Sequence, residues 1–122
     1  MTITLNHTIV AVSDRHAGAR FLADVVGLRP GEPVGPFVPV RINNELTLDF
    51  DDRHGVAPNH YGFLVDDPTF DGIVERVRAA GAEFGSGVLE GWNRRINHLG
   101  GGRGVYVRDP DGHSYEFFTA VP

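Results

Sequence analysis

LNHTIVAVSD (residues 5–14) and PNHYGFLVDD (residues 58–67) decide the fold, because they are two copies of one pattern. In each copy an Asn-His pair leads a short apolar run, and an aspartate follows seven residues after the histidine. Internal similarity of this kind indicates that the chain contains one structural unit twice. The repeat makes His7 equivalent to His60 and predicts two modules, about 1–56 and about 57–122.

Each apolar run leads into a helical pattern. In the second module Asp67 is the predicted N-cap and Pro68 the first helical position, and Gly81 ends the helix. In the first module Gly27 is the predicted stop. The apolar residues of the two predicted helices are Phe21, Leu22 and Val25 in the first, and Phe70, Ile73, Val74 and Val77 in the second.

Strand-like segments follow both helices. We expect them near 28–34, 37–42 and 45–51 in the first module, and near 83–90, 92–98 and 103–119 in the second, where the last is a hairpin. The sequence therefore predicts an α+β fold in a single domain, 1–122. Its two paired βαβββ modules would form one curved mixed sheet around a concave site, with the helices outside.

Composition narrows the class of protein. The net charge is −5 and no block of lysine or arginine occurs, so a nucleic-acid partner is not expected. No apolar run is long enough to cross a bilayer, and the N-terminus does not resemble a signal peptide, which favours a cytoplasmic protein. Because cysteine is absent, a transition-metal site would have to use histidine and carboxylate ligands.

His7, His60 and Glu116 are the candidate metal ligands. The last strands of the two modules also match, which makes Asp49 equivalent to Glu116. A lone strand histidine is more often a structural residue, but two at equivalent positions, with a carboxylate on the closing strand, favour a metal site. Two histidines and one carboxylate with open positions suit Fe(II), and also Mn, Zn or Ni. Asp49 is either a fourth ligand or part of a solvated acidic strand end.

The segment INHLGGGRGVYVRDPDGHSYE (residues 96–116) holds the remaining candidates. An Asp-Pro-Asp-Gly turn at 109–112 predicts a hairpin that places Tyr106 opposite Glu116, and three glycines at 100–102 allow the chain to bring His98 back toward them. The alternative is a tyrosine packed in a sheet and a histidine at a loop edge. We expect the other three histidines, His16, His54 and His113, at the surface. Four arginines could attract an anionic substrate or balance acidic surface: Arg94, Arg95, Arg103 and Arg108.

These residues and the paired modules resemble the vicinal oxygen chelate superfamily, which includes glyoxalases, bleomycin-resistance proteins and extradiol dioxygenases. The segment 96–116 is most similar to the extradiol ring-cleavage signature: a histidine, a hydrophobic-Tyr pair, Asp-Pro-x-Gly and a ligand glutamate. The resemblance implies that His7, His60 and Glu116 hold Fe(II), with Mn, Zn or Ni possible. It also implies that His98 acts as an acid–base group and that Tyr106 stabilises charge on the substrate oxygen.

Three functions remain open at this point. The first is a metal-dependent dioxygenase acting on a catechol-like aromatic. The second is a glyoxalase- or fosfomycin-resistance-like isomerase, lyase or transferase. The third is a metal-free binding protein of the bleomycin-resistance type, in which aromatic side chains would stack on the ligand: Phe37, Phe63, Trp92 and Tyr106. All three imply a small-molecule partner, and the resemblance implies a homodimer.

Overall fold

The computed structural model describes all 122 residues and contains two compact units, Met1–Ala57 and Pro58–Pro122. In the first unit, strand β1 (His7–Ala11) leads into helix α1 (Arg15–Val26), followed by β2 (Val38–Arg41) and β3 (Thr47–Asp51). The three strands form a sheet in the order β1-β3-β2, in which β3 runs parallel to β1 and antiparallel to β2.

Alternation along the strands of the first unit buries one face of the sheet. Val10, Leu48 and Phe50 are fully or almost fully buried, as are the apolar residues on one side of α1. The Asp14 side chain caps α1 by accepting from the Ala17 amide, 3.0 Å away, and Gly27 ends the helix with a left-handed backbone, as predicted.

The second unit repeats this plan with one more strand. It contains β4 (His60–Leu64), α2 (Asp67–Ala80), β5 (Glu83–Gly85), a 3₁₀ turn (Leu99–Gly101), β6 (Gly104–Arg108) and β7 (Ser114–Phe118). The sheet order is β4-β7-β6-β5, with β4 parallel to β7 and the other neighbours antiparallel. Neither helix of the chain is long and apolar enough to cross a membrane.

The core of the second unit lies between α2 and one face of its sheet. Phe70, Ile73 and Val77 of α2 are buried, and the sheet contributes five buried residues: Phe84, Val105, Val107, Tyr115 and Phe117. Each such apolar side chain contributes about 1.5–3 kcal/mol when it is fully removed from water. The N-cap of α2 is Asp66, which accepts from the Thr69 amide, so the predicted cap at Asp67 was wrong by one residue.

The α+β class and the two modules are confirmed, and the strands pair within each module to give two small mixed sheets. Two of the predicted strands differ from the structure. The segments near 28–34 and 92–98 are not strands and contribute only isolated bridges, Val34 to Phe37 and Asn97 to Gly104. Pro30 and Pro33 deprive the first segment of ladder donors, and positive φ angles at Trp92 and Arg94 bend the second.

The turn between β6 and β7 is built on Asp109. Its backbone carbonyl accepts from the Gly112 amide at 3.0 Å, and its side chain accepts from the amides of Asp111 and His113 at 3.0 and 2.8 Å. His16 and His54 are exposed, as expected, but His113 is fully buried. Its Nδ1 accepts from the Asn59 amide at 3.0 Å, so this histidine fixes the residue that precedes His60. Sequence position in a turn did not reveal that contact, because it joins residues 54 apart.

Two glycines of the second unit provide a matched test of this fold. Gly81 caps α2 with φ 66, whereas Gly72 lies inside α2 and faces only the flexible guanidinium of Arg76. We expect Gly81→Ala to lower the free energy of unfolding by about 1 kcal/mol, because a Cβ is disfavoured in the left-handed region. Gly72→Ala should raise it by about 0.5–1 kcal/mol through helix propensity. Chemical denaturation of both variants checks the pair, and equal shifts would contradict the assigned cap.

Candidate functional site

Parallel pairing of β4 with β7 brings His60 and Glu116 together. In this register His60 lies opposite Ser114, and Gly62 lies opposite Glu116. The His60 Nε2 is 3.1 Å from Glu116 Oε1, and its Nδ1 is 2.6 Å from Ser114 Oγ. Both ring nitrogens are therefore engaged by β7, and the imidazole bridges two of its side chains.

Of these two side chains, the Glu116 carboxylate is the more deeply buried. Glu116 is only 8% exposed, whereas the His60 side chain is about half exposed. A buried carboxylate needs a partner that compensates for its lost hydration. Gly62 lets the Phe118 ring approach closely, because a Cβ at that position would lie 3.3 Å from Phe118 and 4.0 Å from Glu116 Oε1.

Tyr106 completes this cluster from the neighbouring strand. It pairs with Glu116 across β6 and β7, as the hairpin arithmetic predicts, and its ring stacks on His60 with centroids 5.8 Å apart. Burial, the Glu116 charge and a hydrogen bond to Glu116 raise the pKa of Tyr106 above its ordinary value of 10.0, with a smaller contribution from the Glu90 charge. The phenol is therefore a hydrogen-bond donor at neutral pH.

Two open pockets meet at this tyrosine. One, of about 510 Å³, is bordered by His60, Ser114 and Tyr106, and the other, of about 400 Å³, is bordered by Glu90, Asn97 and Tyr106. Val88 also borders both pockets. A small molecule in this region would contact the imidazole and the phenol at once.

His98 lies at the edge of this region. Its side chain is exposed, and its Nδ1 is 3.2 Å from the Gly102 carbonyl oxygen. The side chain of the neighbouring Asn97 packs closely against β6 at Gly104. A Cβ on Gly104 would lie only 2.6 Å from Asn97 Oδ1. The structure thus brings Tyr106 and Glu116 together as expected and places Asn97, not His98, in the pocket that Tyr106 borders.

The first unit carries the equivalent positions. His7 opens β1 opposite Thr47, its side chain is exposed, and its Nδ1 is 2.9 Å from Asn6 Oδ1. Asp49 lies opposite Ile9 on the face that His7 shares. Neither unit by itself groups three His, Cys, Asp or Glu side chains in a way that could hold a metal ion.

Three of the four arginines are used within the second unit. Arg94 stacks on Phe84, Arg108 lies over Trp92, and Arg103 pairs with Asp67 at 2.8 Å and Asp71 at 2.7 Å. The ion pairs of Arg103 support the interpretation that the arginines balance acidic surface.

Sequence reasoning missed Ser114 and Asn6 as neighbours of the two histidines. Ser114 stands two residues before Glu116 and so shares its face of β7, a signal that strand alternation supplies. Asn6 precedes His7 in the repeat, but its counterpart Asn59 accepts from the His60 amide and does not contact the ring, so the repeat alone was ambiguous.

Two modules that each open on an Asn-His pair and close on a strand with a carboxylate define a duplicated α+β protein. The chain belongs to the Glyoxalase/Bleomycin resistance protein/Dioxygenase superfamily, whose family model matches residues 4–117. Members of this superfamily bind small-molecule substrates, generally use divalent metal ions and often form dimers.

Solved structures give a similar result over the whole chain. Oxidase ChaP-H2 is 46% identical, with 100% of this chain and 96% of that chain covered and a TM-score of 0.89. Oxidase ChaP-H1 is 48% identical, with coverage of 99% and 98% and a TM-score of 0.87. The fosfomycin resistance protein FosX from Mesorhizobium loti is 23% identical, with coverage of 99% and 95% and a TM-score of 0.70, and shares the fold.

The environment of Tyr106 can be tested through its ionisation. Removing a neighbouring negative charge makes the phenolate easier to form, so Glu116→Gln should lower the pKa of Tyr106. Glu90→Gln should lower it less, because Glu90 makes the smaller contribution. NMR titration of protein with labelled tyrosine rings measures both values. A larger shift in Glu90→Gln than in Glu116→Gln would contradict the pairing of Tyr106 with Glu116.

Proposed function

We propose that the protein is a metal-dependent oxidoreductase, an extradiol-type dioxygenase in which His7, His60 and Glu116 bind Fe(II) and a catechol-like aromatic is the substrate. The His60–Glu116 donor pair beside Tyr106 carries this proposal. The two ChaP-H oxidases support the oxidative chemistry, since each is nearly half identical to this chain over its whole length.

The donor pair fits a metal ion. Two ligands at about 2.1 Å from one metal and at right angles to each other stand about 3 Å apart. The His60 Nε2 and Glu116 Oε1 are 3.1 Å apart, and they face each other on one side of the sheet. Two histidines and one carboxylate leave coordination positions open, which Fe(II) oxygenases require, and Mn, Zn or Ni would accept the same donors.

His7 is the proposed third ligand because of the repeat. It occupies the position in β1 that His60 occupies in β4: the amide of Thr47 donates to the Asn6 carbonyl at 2.9 Å, and the amide of Ser114 donates to the Asn59 carbonyl at 3.0 Å. The proposal therefore requires a donor from each module. We also propose that the protein works as a homodimer, as is frequent in this superfamily.

The chain's own groups would bind and orient the substrate. When bound, the metal supplies Lewis-acid activation and a template for substrate and O₂. Tyr106, which stays protonated at neutral pH, would donate a hydrogen bond to a substrate oxygen and stabilise negative charge there. The acid–base role of His98 stays a prediction. A ligand in the adjoining pocket would lie near Asn97 and Glu90, both of which border it.

Metal content and oxygen uptake test the proposal together. Protein purified without oxygen should hold close to one iron per chain, and it should consume O₂ when catechols are added. Glu116→Gln and His60→Ala should each lose the metal and the oxygen uptake. The first removes the carboxylate ligand from the proposed site and the second removes an imidazole ligand. Glu75→Gln and His16→Ala, at exposed helix positions, are the matched controls and should keep both.

The metal found decides between the reaction classes. Zinc, nickel or manganese without oxygen uptake would contradict the dioxygenase and favour an isomerase, lyase or transferase. Failure of the wild-type protein to bind any divalent metal, combined with tight binding of aromatics, would contradict both enzymes and favour a binding protein.

Substitutions at Tyr106 and His98 separate their roles. We expect Tyr106→Phe to lower kcat by roughly 10²–10³-fold while metal content is kept, because one preorganised donor to a developing charge is lost. His98→Ala tests the acid–base role and should lower kcat by roughly 10²-fold or more if that role is real. Full activity in His98→Ala, with a strong loss in Tyr106→Phe, would leave Tyr106 as the catalytic group of the pair.

A further inference from the structure

Both proposed histidine ligands have Nδ1 engaged by a neutral oxygen of their own module. The partner of His7 is the amide oxygen of Asn6 at 2.9 Å, and the partner of His60 is the hydroxyl of Ser114 at 2.6 Å. An amide oxygen only accepts a hydrogen bond, whereas a hydroxyl donates or accepts. The two histidines are therefore held by partners of different chemistry.

The Asn6 contact fixes one tautomer of His7. The amide nitrogen of Asn6 faces the Glu45 carbonyl oxygen at 3.5 Å, which directs Oδ1 toward the imidazole. Because Oδ1 cannot donate, Nδ1 of His7 carries the hydrogen and Nε2 carries the lone pair. A metal ligand needs such a free ring nitrogen, so His7 presents Nε2 in the form that binds.

His60 has the opposite arrangement. Its Nε2 faces the Glu116 carboxylate at 3.1 Å, and a carboxylate also only accepts. The neutral ring therefore carries its hydrogen on Nε2, and Nδ1 accepts from the Ser114 hydroxyl. In this form Nε2 cannot bind a metal.

We propose, on the basis of the metal site proposed above, that Asn6 and Ser114 are positioning residues that control which nitrogen of each histidine is free. Ser114 does this reversibly. For Nε2 of His60 to serve as a ligand, its hydrogen would leave to solvent as a proton, a proton from solvent would enter at Nδ1, and the Ser114 hydroxyl would rotate from donor to acceptor. The ring is neutral before and after, and no backbone movement is needed.

Two features of the structure make Ser114 suited to this task. It is 9% exposed and lies directly opposite His60 in the β4–β7 register, so its oxygen stays in place while its hydrogen rotates. The equivalent position in the first module, opposite His7, is Thr47. Threonine also carries a hydroxyl group, so both serine and threonine occur at this strand position. An amide or carboxylate partner would lock one tautomer, as Asn6 does for His7.

The tautomers can be read directly by proton–nitrogen NMR of the imidazole rings at a pH where they are neutral. In the metal-free wild-type protein, we expect His7 to carry its hydrogen on Nδ1 and His60 on Nε2. Addition of Zn²⁺, a diamagnetic probe, should move the hydrogen of His60 to Nδ1 and leave that of His7 in place. The same tautomer for both histidines without metal would overturn the proposal.

Substitutions test each positioning residue. Ser114→Ala should weaken Zn²⁺ binding by roughly 10–100-fold in competition with a chelator, because the Nδ1 hydrogen then lacks an acceptor, and Ser114→Thr should restore it. Asn6→Ala should turn His7 into a mixture of tautomers. Asn59→Ala is the matched control, since the Asn59 side chain binds the His60 backbone and should leave the tautomer of His60 unchanged.

The outcomes separate this proposal from the proposed function. Zn²⁺ binding of wild-type strength in folded Ser114→Ala would overturn the role of Ser114 while leaving the metal site intact. If the wild-type protein takes up no Zn²⁺, Fe²⁺ or other divalent ion, the proposed function fails and the metal-linked reversal fails with it. The tautomers of His7 and His60 in the metal-free protein would still show whether the hydrogen bonds assigned to Asn6 and Ser114 are correct.

Discussion

The arrangement of the second unit depends on the need to stabilise the buried carboxylate of Glu116. A carboxylate in the middle of an otherwise apolar strand costs several kcal/mol unless charged or polar groups surround it. The structure supplies such groups from two neighbouring strands, with His60 on one side and Tyr106 on the other. Gly62 contributes by having no side chain, because a Cβ there would lie 3.3 Å from the Phe118 ring beside the carboxylate.

That arrangement depends on strand register, and register depends on the turn at Asp109. A slip of one residue in the hairpin would turn Glu116 into the core and Tyr115 toward the pocket. Asp109 resists such a slip by holding the amides of Asp111 and His113, and His113 in turn holds the Asn59 amide. The turn thus fixes the partner strand β4 as well as its own hairpin.

Much of the fold and part of the site were predictable from the sequence. The Asn-His repeat indicated two modules, and the Asp-Pro-Asp-Gly turn gave the pairing of Tyr106 with Glu116. These succeeded because each is a local pattern with a fixed period or length.

The predictions that failed depend on a long-range contact or on backbone angles that no sequence period encodes. His113 is buried by an amide 54 residues away, and the segment near 92–98 follows backbone angles at Trp92 and Arg94 that no period encodes. The place of His98 was open in the sequence, because the glycines that follow it permit several directions, and in the structure its ring contacts the Gly102 carbonyl oxygen. The single-domain organisation of the chain stays a prediction.

The two modules have also diverged at equivalent positions, and the differences point to unequal roles. Asp49 corresponds to Glu116, but it faces Ile9 where Glu116 faces Gly62, so the first module has a bulky side chain where the second has a glycine. Asp is also one methylene shorter than Glu and reaches less far from its strand. These differences favour Glu116 over Asp49 as a ligand of the proposed metal site.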